Sequence, residues 1–229
     1  MKIGYSAQQI RDAERPHLDS GEPLMARAAA ALAQAVRGLL GATGAPEGAR
    51  VLLLVGSGNN GGDALFAGAA LATAGCEVLV LEVGSRTHPD GLAAALQAGA
   101  RRIDSDVEPE ELAALARSVH VVVDGILGIG GGGRGLRGRA RAVVAELLKV
   151  IHDPGAPKVV AVDLPSGIGP DDGRVTDEMI LPADVTVTFG GYKAGLLTGP
   201  AVRLAGDVRL IDIGIGADLA QMTPLVRVP

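Results

Sequence analysis

The side chains best placed for chemistry stand where apolar runs stop. In VLLLVGSGNNGGDAL (51–65) a greasy run empties into glycines followed by Asn59, Asn60, Gly61, Gly62 and Asp63. The two asparagines offer amide donors and carbonyl acceptors, and Asp63 can either cap the helix that follows or accept from ribose hydroxyls. Gly56, Gly58 and Gly61 have G-x-G-x-x-G spacing, and Glu82 ends the next apolar run. Such glycines let backbone N–H groups approach a pyrophosphate at a helix N-terminus, although a tight turn without a ligand reads the same way. Asp124 opens a second loop, DGILGIGGGGRGLRGR, whose Gly128, Ile129, Gly130, Gly131, Gly132, Gly133 and Arg134 form a flexible backbone surface. Arg134 and Arg137 can meet phosphates there. A plain surface loop competes with that reading. An RNA-binding arginine-glycine segment is disfavoured, because no aromatic residues interleave to stack on bases. In the third loop, VDLPSGIGPDDG, Asp163 sits at a strand tip with Ser166 beyond Pro165. The two can point into one crevice, or each can satisfy its own proline-shaped turn.

Positioning these loops requires strands that all end on one side. Apolar runs at 51–55, 77–81, 120–123, 158–162, 185–189 and 208–211 alternate with helical stretches reaching to 74, near 89–98, at 109–118 and at 140–151. Two helices lead, SAQQIRDAER behind the cap Ser6 and the alanine-rich EPLMARAAAALAQAVRGLL. Runs such as VLLLV are apolar on both faces, as strands of a parallel sheet covered by helices on each side must be. The expectation is one α/β domain over residues 1–229, with its ligand beyond the carboxyl ends of the strands.

Composition narrows the function classes. A net charge of −5 argues against a non-specific nucleic-acid or membrane-surface binder. Charges interrupt every apolar run before it reaches membrane-spanning length, and the first residues lack the apolar centre of a signal peptide, so a soluble cytoplasmic protein is expected. The single cysteine, Cys76, excludes an internal disulfide and reads as a buried structural thiol. His17, His88, His120 and His152 are scattered, which disfavours a zinc site.

Taken in order, GNNGGDAL, DGILGIGG, VDLPSGIGPDDG, ADVTVTFGGYKAGLLTGPA and IDIGI resemble the NAD(P)H-hydrate epimerase family, the YjeF N-terminal domain. The likeness runs over nearly the whole chain. It implies a Rossmann-like three-layer αβα sandwich with a mainly parallel central sheet, usually as a homodimer. The implied activity interconverts the R and S epimers at C6 of hydrated NADH or NADPH. It places substrate on Asn59 to Asp63, on Gly128 to Arg134 and on Asp163, and a potassium ion on Asn60, Asp124 and Ser166. Those are hard oxygen donors carrying one charge, a set better suited to a weakly hydrated monovalent ion than to magnesium. Asp163 is the expected proton-transfer residue. Lys193, in GGYKAGL, reads either as a phosphate or site contact or as a solvated surface lysine. In the leading helix the family's LMERAG stands here as LMARAA, with Ala26 for the acid. An ADP- or ATP-dependent hydrate dehydratase is the implied downstream partner, either separate or cut away at a domain boundary. Two rival functions remain: a nicotinamide-dependent oxidoreductase and a catalytically silent dinucleotide-binding module.

Overall fold

The computed structural model describes residues 1–45, 48–104 and 106–229. Its centre is a seven-stranded sheet built from β2 (Arg50–Val55), β3 (Glu77–Glu82), β4 (Arg101–Arg102), β5 (Val121–Gly125), β6 (Lys158–Val162), β7 (Val185–Phe189) and β9 (Asp207–Ile211). The strand order is β4-β3-β2-β5-β6-β7-β9, and every pairing is parallel. The expected sheet was mainly parallel; the observed one is wholly so. A separate small sheet joins β1 (Lys2–Tyr5), antiparallel to β10 (Val226–Val228) and parallel to β8 (Tyr192–Lys193).

Side-chain alternation along the strands divides the core in two. Val51, Leu53 and Val55 of β2, with Val121 and Val123 of β5, pack beneath α1 (Ala7–Asp19), α2 (Leu24–Ala42), α3 (Asn59–Thr73) and α4 (Pro89–Gln97). Leu52 and Leu54, with Val122 and Ala161, pack against α5 (Pro109–Ser118) and α6 (Gly138–Leu148) on the other face. Both faces of each central strand are therefore buried, as the unbroken apolar runs require. The short α7 (Gly216–Ala220) adds Leu219 to the first core.

From β2 the chain winds outward through β3 and β4 on one side, and from β5 through β6, β7 and β9 on the other. The adjacent carboxyl ends of β2 and β5 are thus the topological switch point, where the loops part and leave a crevice. Along one wall lies α1, started by a capping box in which Ser6 and Gln9 satisfy each other's backbone N–H groups. It continues through Pro16 to Asp19, past the Arg15 at which the sequence periodicity stops.

Candidate active site

A cavity of about 680 Å³ opens at this switch point. Its walls are the Ser57–Gly58–Asn59–Asn60 turn after β2, Asp63 of α3, the 126–131 loop after β5, Asp163 after β6, and α1 with Ile10, Arg11 and Glu14. Phe189 and Lys193 close the far end.

Asp163 is the sole non-glycine described residue with a positive φ, +67°. Its N–H donates to the Val187 carbonyl at 2.7 Å, which carries the sheet pairing one residue beyond β6 and turns the side chain into the cavity. A left-handed backbone is costly for an ordinary residue, and aspartate is among the few that adopt it readily. The residue as a whole is 7 % exposed. One oxygen, Oδ1, forms an ion pair with Lys193 Nζ and accepts from Thr188 Oγ1 at 3.2 Å. Lys193, 1 % exposed, also donates to the Phe189 carbonyl at 2.8 Å and to Thr188 Oγ1 at 3.2 Å. The surface-lysine reading of Lys193 is therefore wrong: it is a buried counter-charge, brought there by the small sheet. Nothing in its sequence neighbourhood distinguishes it from a solvated lysine.

The other oxygen of Asp163 faces Gly128. A Cβ built on Gly128 would sit 2.8 Å from Asn60 Oδ1 and 3.4 Å from Asp163 Oδ2, so only glycine lets this loop settle between the two side chains. Asn60 is 8 % exposed, and its Nδ2 has no hydrogen-bond partner among the described residues. An unpaired buried amide costs free energy unless something else meets it.

Asp124 and Ser166 stand behind this wall. Ser166 donates through its hydroxyl to Asp124 Oδ1 at 2.6 Å and through its N–H to Oδ2 at 2.8 Å, and its hydroxyl accepts from the Leu127 N–H at 2.8 Å. Ser166 therefore does not share Asp163's crevice; it ties the end of β5 to the loop after β6. Asp124 is 1 % exposed, and no cation pairs with it among the described residues. Burial pushes its carboxyl upward from the usual carboxylate range, against the hydrogen bonds from Ser166 and Ile126 that favour the anion. The oxygen set of Asn60, Asp124 and Ser166 can hold a hard monovalent cation, which would supply the missing positive charge. No cluster of three His, Cys, Asp or Glu side chains suited to a metal exists among the described residues.

Two further carboxyl groups line the cavity. Asp63 does not cap α3, whose N-cap is Gly58; it lies in the second turn and projects into the cavity. Burial, then the charges of Asp163 and Glu14, push it up to about 8 against the opposing pull of Lys193. Glu14, which sequence reasoning passed over, is also raised, chiefly by burial. Its helical spacing from Ile10 was the available signal: the pair at i and i+4 puts Glu14 on the buried stripe of α1.

Asn59, Asn60, Asp63, Gly128, Ile129, Gly130, Gly131 and Asp163 thus line one cavity. Gly61 and Gly62 lie behind the wall. A Cβ on Gly61 would stand 2.2 Å from the Gly56 carbonyl, so the fingerprint spacing here first serves the tightness of its own turn. Gly132 faces a neighbouring groove in the left-handed conformation, φ +60°, and Gly133 packs on Gly169. Arg134 and Arg137 flank an adjoining groove of about 330 Å³ that shares Ser57, Gly58, Gly130 and Gly131 with the cavity. Glu82 is engaged by Arg102 and Thr87, which removes it as a free receptor for a ribose diol. Cys76 is half-buried rather than buried.

Residues 21–195 match the family model described as YjeF-related protein N-terminus. The chain is 53 % identical over 226 residues to an NAD(P)H-hydrate epimerase of Clavibacter michiganensis, covering 98 % of this chain and 95 % of that protein. It is 48 % identical to an NAD(P)H-hydrate epimerase of Microbacterium testaceum, covering 97 % and 82 % respectively. Against the bifunctional NAD(P)H-hydrate repair enzyme Nnr of Mycobacterium tuberculosis the identity is 38 %, over 96 % of this chain and 43 % of that one. Among solved structures, the yeast protein YNL200c superposes with a TM-score of 0.73 at 24 % identity, covering 85 % of this chain and 83 % of that one, a likeness of fold.

Proposed function

The chain belongs to the family of YjeF-related protein N-termini, and on that premise we propose that it is an NAD(P)H-hydrate epimerase, interconverting the C6 epimers of hydrated NADH or NADPH. The observation that carries this reading is the convergence, in one dinucleotide-sized cavity, of Asp163 with a buried counter-ion and of glycine loops open to phosphates. In the hydrate the C6 hydroxyl stands next to ring nitrogen N1, whose lone pair expels the hydroxyl as water once it is protonated. A planar iminium results, and water returns to either face. The protein's tasks are to bind the ring, place a proton carrier within hydrogen-bond reach and exclude bulk water.

Asp163 is that carrier. Its Oδ1 is held by Lys193 and Thr188, which leaves Oδ2, on the Gly128 side, for the substrate. Arg11 and Arg15 of α1 and the arginines of the adjoining groove supply positive charge for the pyrophosphate. Potassium, held by Asn60, Asp124 and Ser166, would fix the loops after β2, β5 and β6 relative to one another. The deep burial of Asp124 with no basic partner among the described residues supports that reading. Family resemblance supports a homodimer. A hydrate dehydratase acting downstream is supported by the chain's match to 43 % of the bifunctional repair enzyme. A cytoplasmic setting follows from the substrate, which forms where reduced nicotinamide cofactors are used; among the described residues no helix is long and apolar enough to cross a membrane.

The test is direct. One resolved hydrate epimer is mixed with the protein near neutral pH and appearance of the other is followed by chromatography, against the slow uncatalysed exchange. Exchange no faster than background sinks the reading. Hydride transfer to a small carbonyl substrate would favour the oxidoreductase instead.

A further inference from the structure

We propose that epimerisation here uses two acid-base residues, with Asp63 serving one face of the nicotinamide ring and Asp163 the other. The inference rests on the epimerase reading and goes beyond it by assigning a second proton carrier. Asp63 comes from α3 and Asp163 from the loop after β6, so two separately positioned carboxyl groups line the same cavity. Their partners differ. Asp163 is ion-paired with Lys193 and accepts from Thr188. Asp63 has no hydrogen-bond or ion-pair partner among the described residues, although it is largely sheltered from water. Its neighbours are the carboxyl groups of Asp163 and Glu14, opposed by Lys193. Arg11 and Arg15 of α1 share the cavity, His88 at the start of α4 lies against the adjacent Gly62, and α2 meets that turn through Met25. One carboxyl group held by a buried cation and a second, sheltered one without such a partner are the arrangement expected of a base and an acid.

The step balances without any co-reactant. Protonated Asp63 gives its proton to the C6 hydroxyl, the C6–O bond breaks, and the N1 lone pair forms the N1=C6 double bond as water departs. A second water adds to C6 from the opposite face; its electron pair forms the new C6–O bond, the iminium electrons return to N1, and its proton passes to the Asp163 carboxylate. The reaction then runs backward from the other epimer with Asp163 as acid. Asp63 bearing the proton starts one direction and Asp163 bearing it starts the other, so each turnover hands one proton from one residue to its counterpart.

The experiment measures both epimer exchange and incorporation of label from oxygen-18 water into the C6 hydroxyl. Asp63→Asn is expected to slow epimer exchange by about 10² to 10⁴, the usual contribution of a positioned acid-base group, with KM within about threefold. Asp163→Asn is expected to slow exchange similarly, yet to keep taking up label into one epimer with retention, because Asp63 can expel the hydroxyl and readmit water on its own face. Asp63→Asn should label the other epimer in the same way. Epimer exchange by the wild type should fall as pH rises through about 8, where Asp63 loses its proton. Glu14→Gln, by removing a negative neighbour, should move that fall to lower pH, and this arm stands even where Asp63→Asn fails to fold. A wild-type chain that exchanges no epimers overturns the functional reading itself. A wild type that works while Asp63→Asn keeps more than about a tenth of turnover, well outside that loss, overturns the two-carrier proposal alone. So does an Asp163→Asn protein that labels neither epimer, or a Glu14→Gln profile that does not move.

Discussion

At the scale of single residues, burial decides what a substitution means. From sequence, Asp163→Asn is expected to spare the fold, since asparagine keeps the size and hydrogen-bonding capacity of the side chain. The buried Lys193 changes that expectation. Removing the partner of a buried ion pair leaves an uncompensated charge, which costs about 3–5 kcal/mol. Asp163→Asn should therefore lose stability on that scale together with epimerisation, and adding Lys193→Met should restore much of the stability and none of the activity. Urea unfolding of the three proteins checks this, and a double variant as unstable as the single one would show that the pair is not what holds the site. Asp124 gives a second case. Potassium should raise the unfolding temperature of the wild type above its value in a lithium buffer, because a ligand bound to the native state at 100 times its Kd adds about 2.7 kcal/mol. In Asp124→Asn the difference between the two salts should vanish; a difference that persists would place the ion elsewhere. Asn60, Asp124 and Asp163 were legible because a polar side chain ending an apolar run is conspicuous. Lys193 and Glu14 were not, because tertiary packing alone distinguishes them from surface charges.

At the scale of elements, the central strands were readable and the peripheral ones were not. Residues 51–55, 159–162 and 185–189 are buried on both faces, so their composition states their environment. β4 is two exposed arginines, and β8 is two residues whose pairing with β1 is set by tertiary contact; neither carries an apolar pattern. Helix α3 starts at Asn59, within the glycine run, and not after it, which moved Asp63 from a capping position to a cavity wall. The loop after β5 was read as a uniform flexible surface, yet its glycines differ. At Gly128 an added methyl meets Asn60 and Asp163, whereas at Gly130 nothing stands within 4 Å. Gly128→Ala should displace both side chains, with an overpacking cost of about 1–3 kcal/mol and a marked loss of kcat. Gly130→Ala should leave stability and kcat nearly unchanged unless substrate passes directly over it, when KM alone rises. Equal effects on kcat from the two variants would mean that the loop acts only as a linker.

At the scale of the whole molecule, the sheet places the site and the chain ends brace it. The order of the strands puts the switch point between β2 and β5, and the α/β cadence foretold a ligand beyond the strand ends without saying which pair would part. The net charge of −5 is poorly suited to an anionic dinucleotide, so the arginines lining the cavity and its adjoining groove must create a local field of the opposite sign. The brace was not legible, because it joins the two ends of the sequence through short strands. β10 pairs with β1 at Lys2–Val228, Ile3–Arg227 and Gly4–Val226, and β1 pairs in turn with β8 at Tyr5–Lys193. β1 runs directly into the cap of α1, the helix that carries Arg11 and Glu14. Deleting residues 224–229 removes no group that lines the cavity, yet it strips one side of β1 and loosens both the strand of Lys193 and the start of α1. With a net contribution of about 0.5–1.5 kcal/mol per hydrogen bond, losing this ladder costs roughly 2–4 kcal/mol. For a domain of this size each kcal/mol lowers the unfolding temperature by about 2–4 °C, so a fall of roughly 4–16 °C is expected. Below that temperature kcat should also drop and KM rise, because Asp163 would share its lysine with a mobile strand. Calorimetry and steady-state epimer exchange on the deleted chain check both arms. Kinetics unchanged at a temperature where the deleted chain is still folded would show that the small sheet supports the fold without bracing the site.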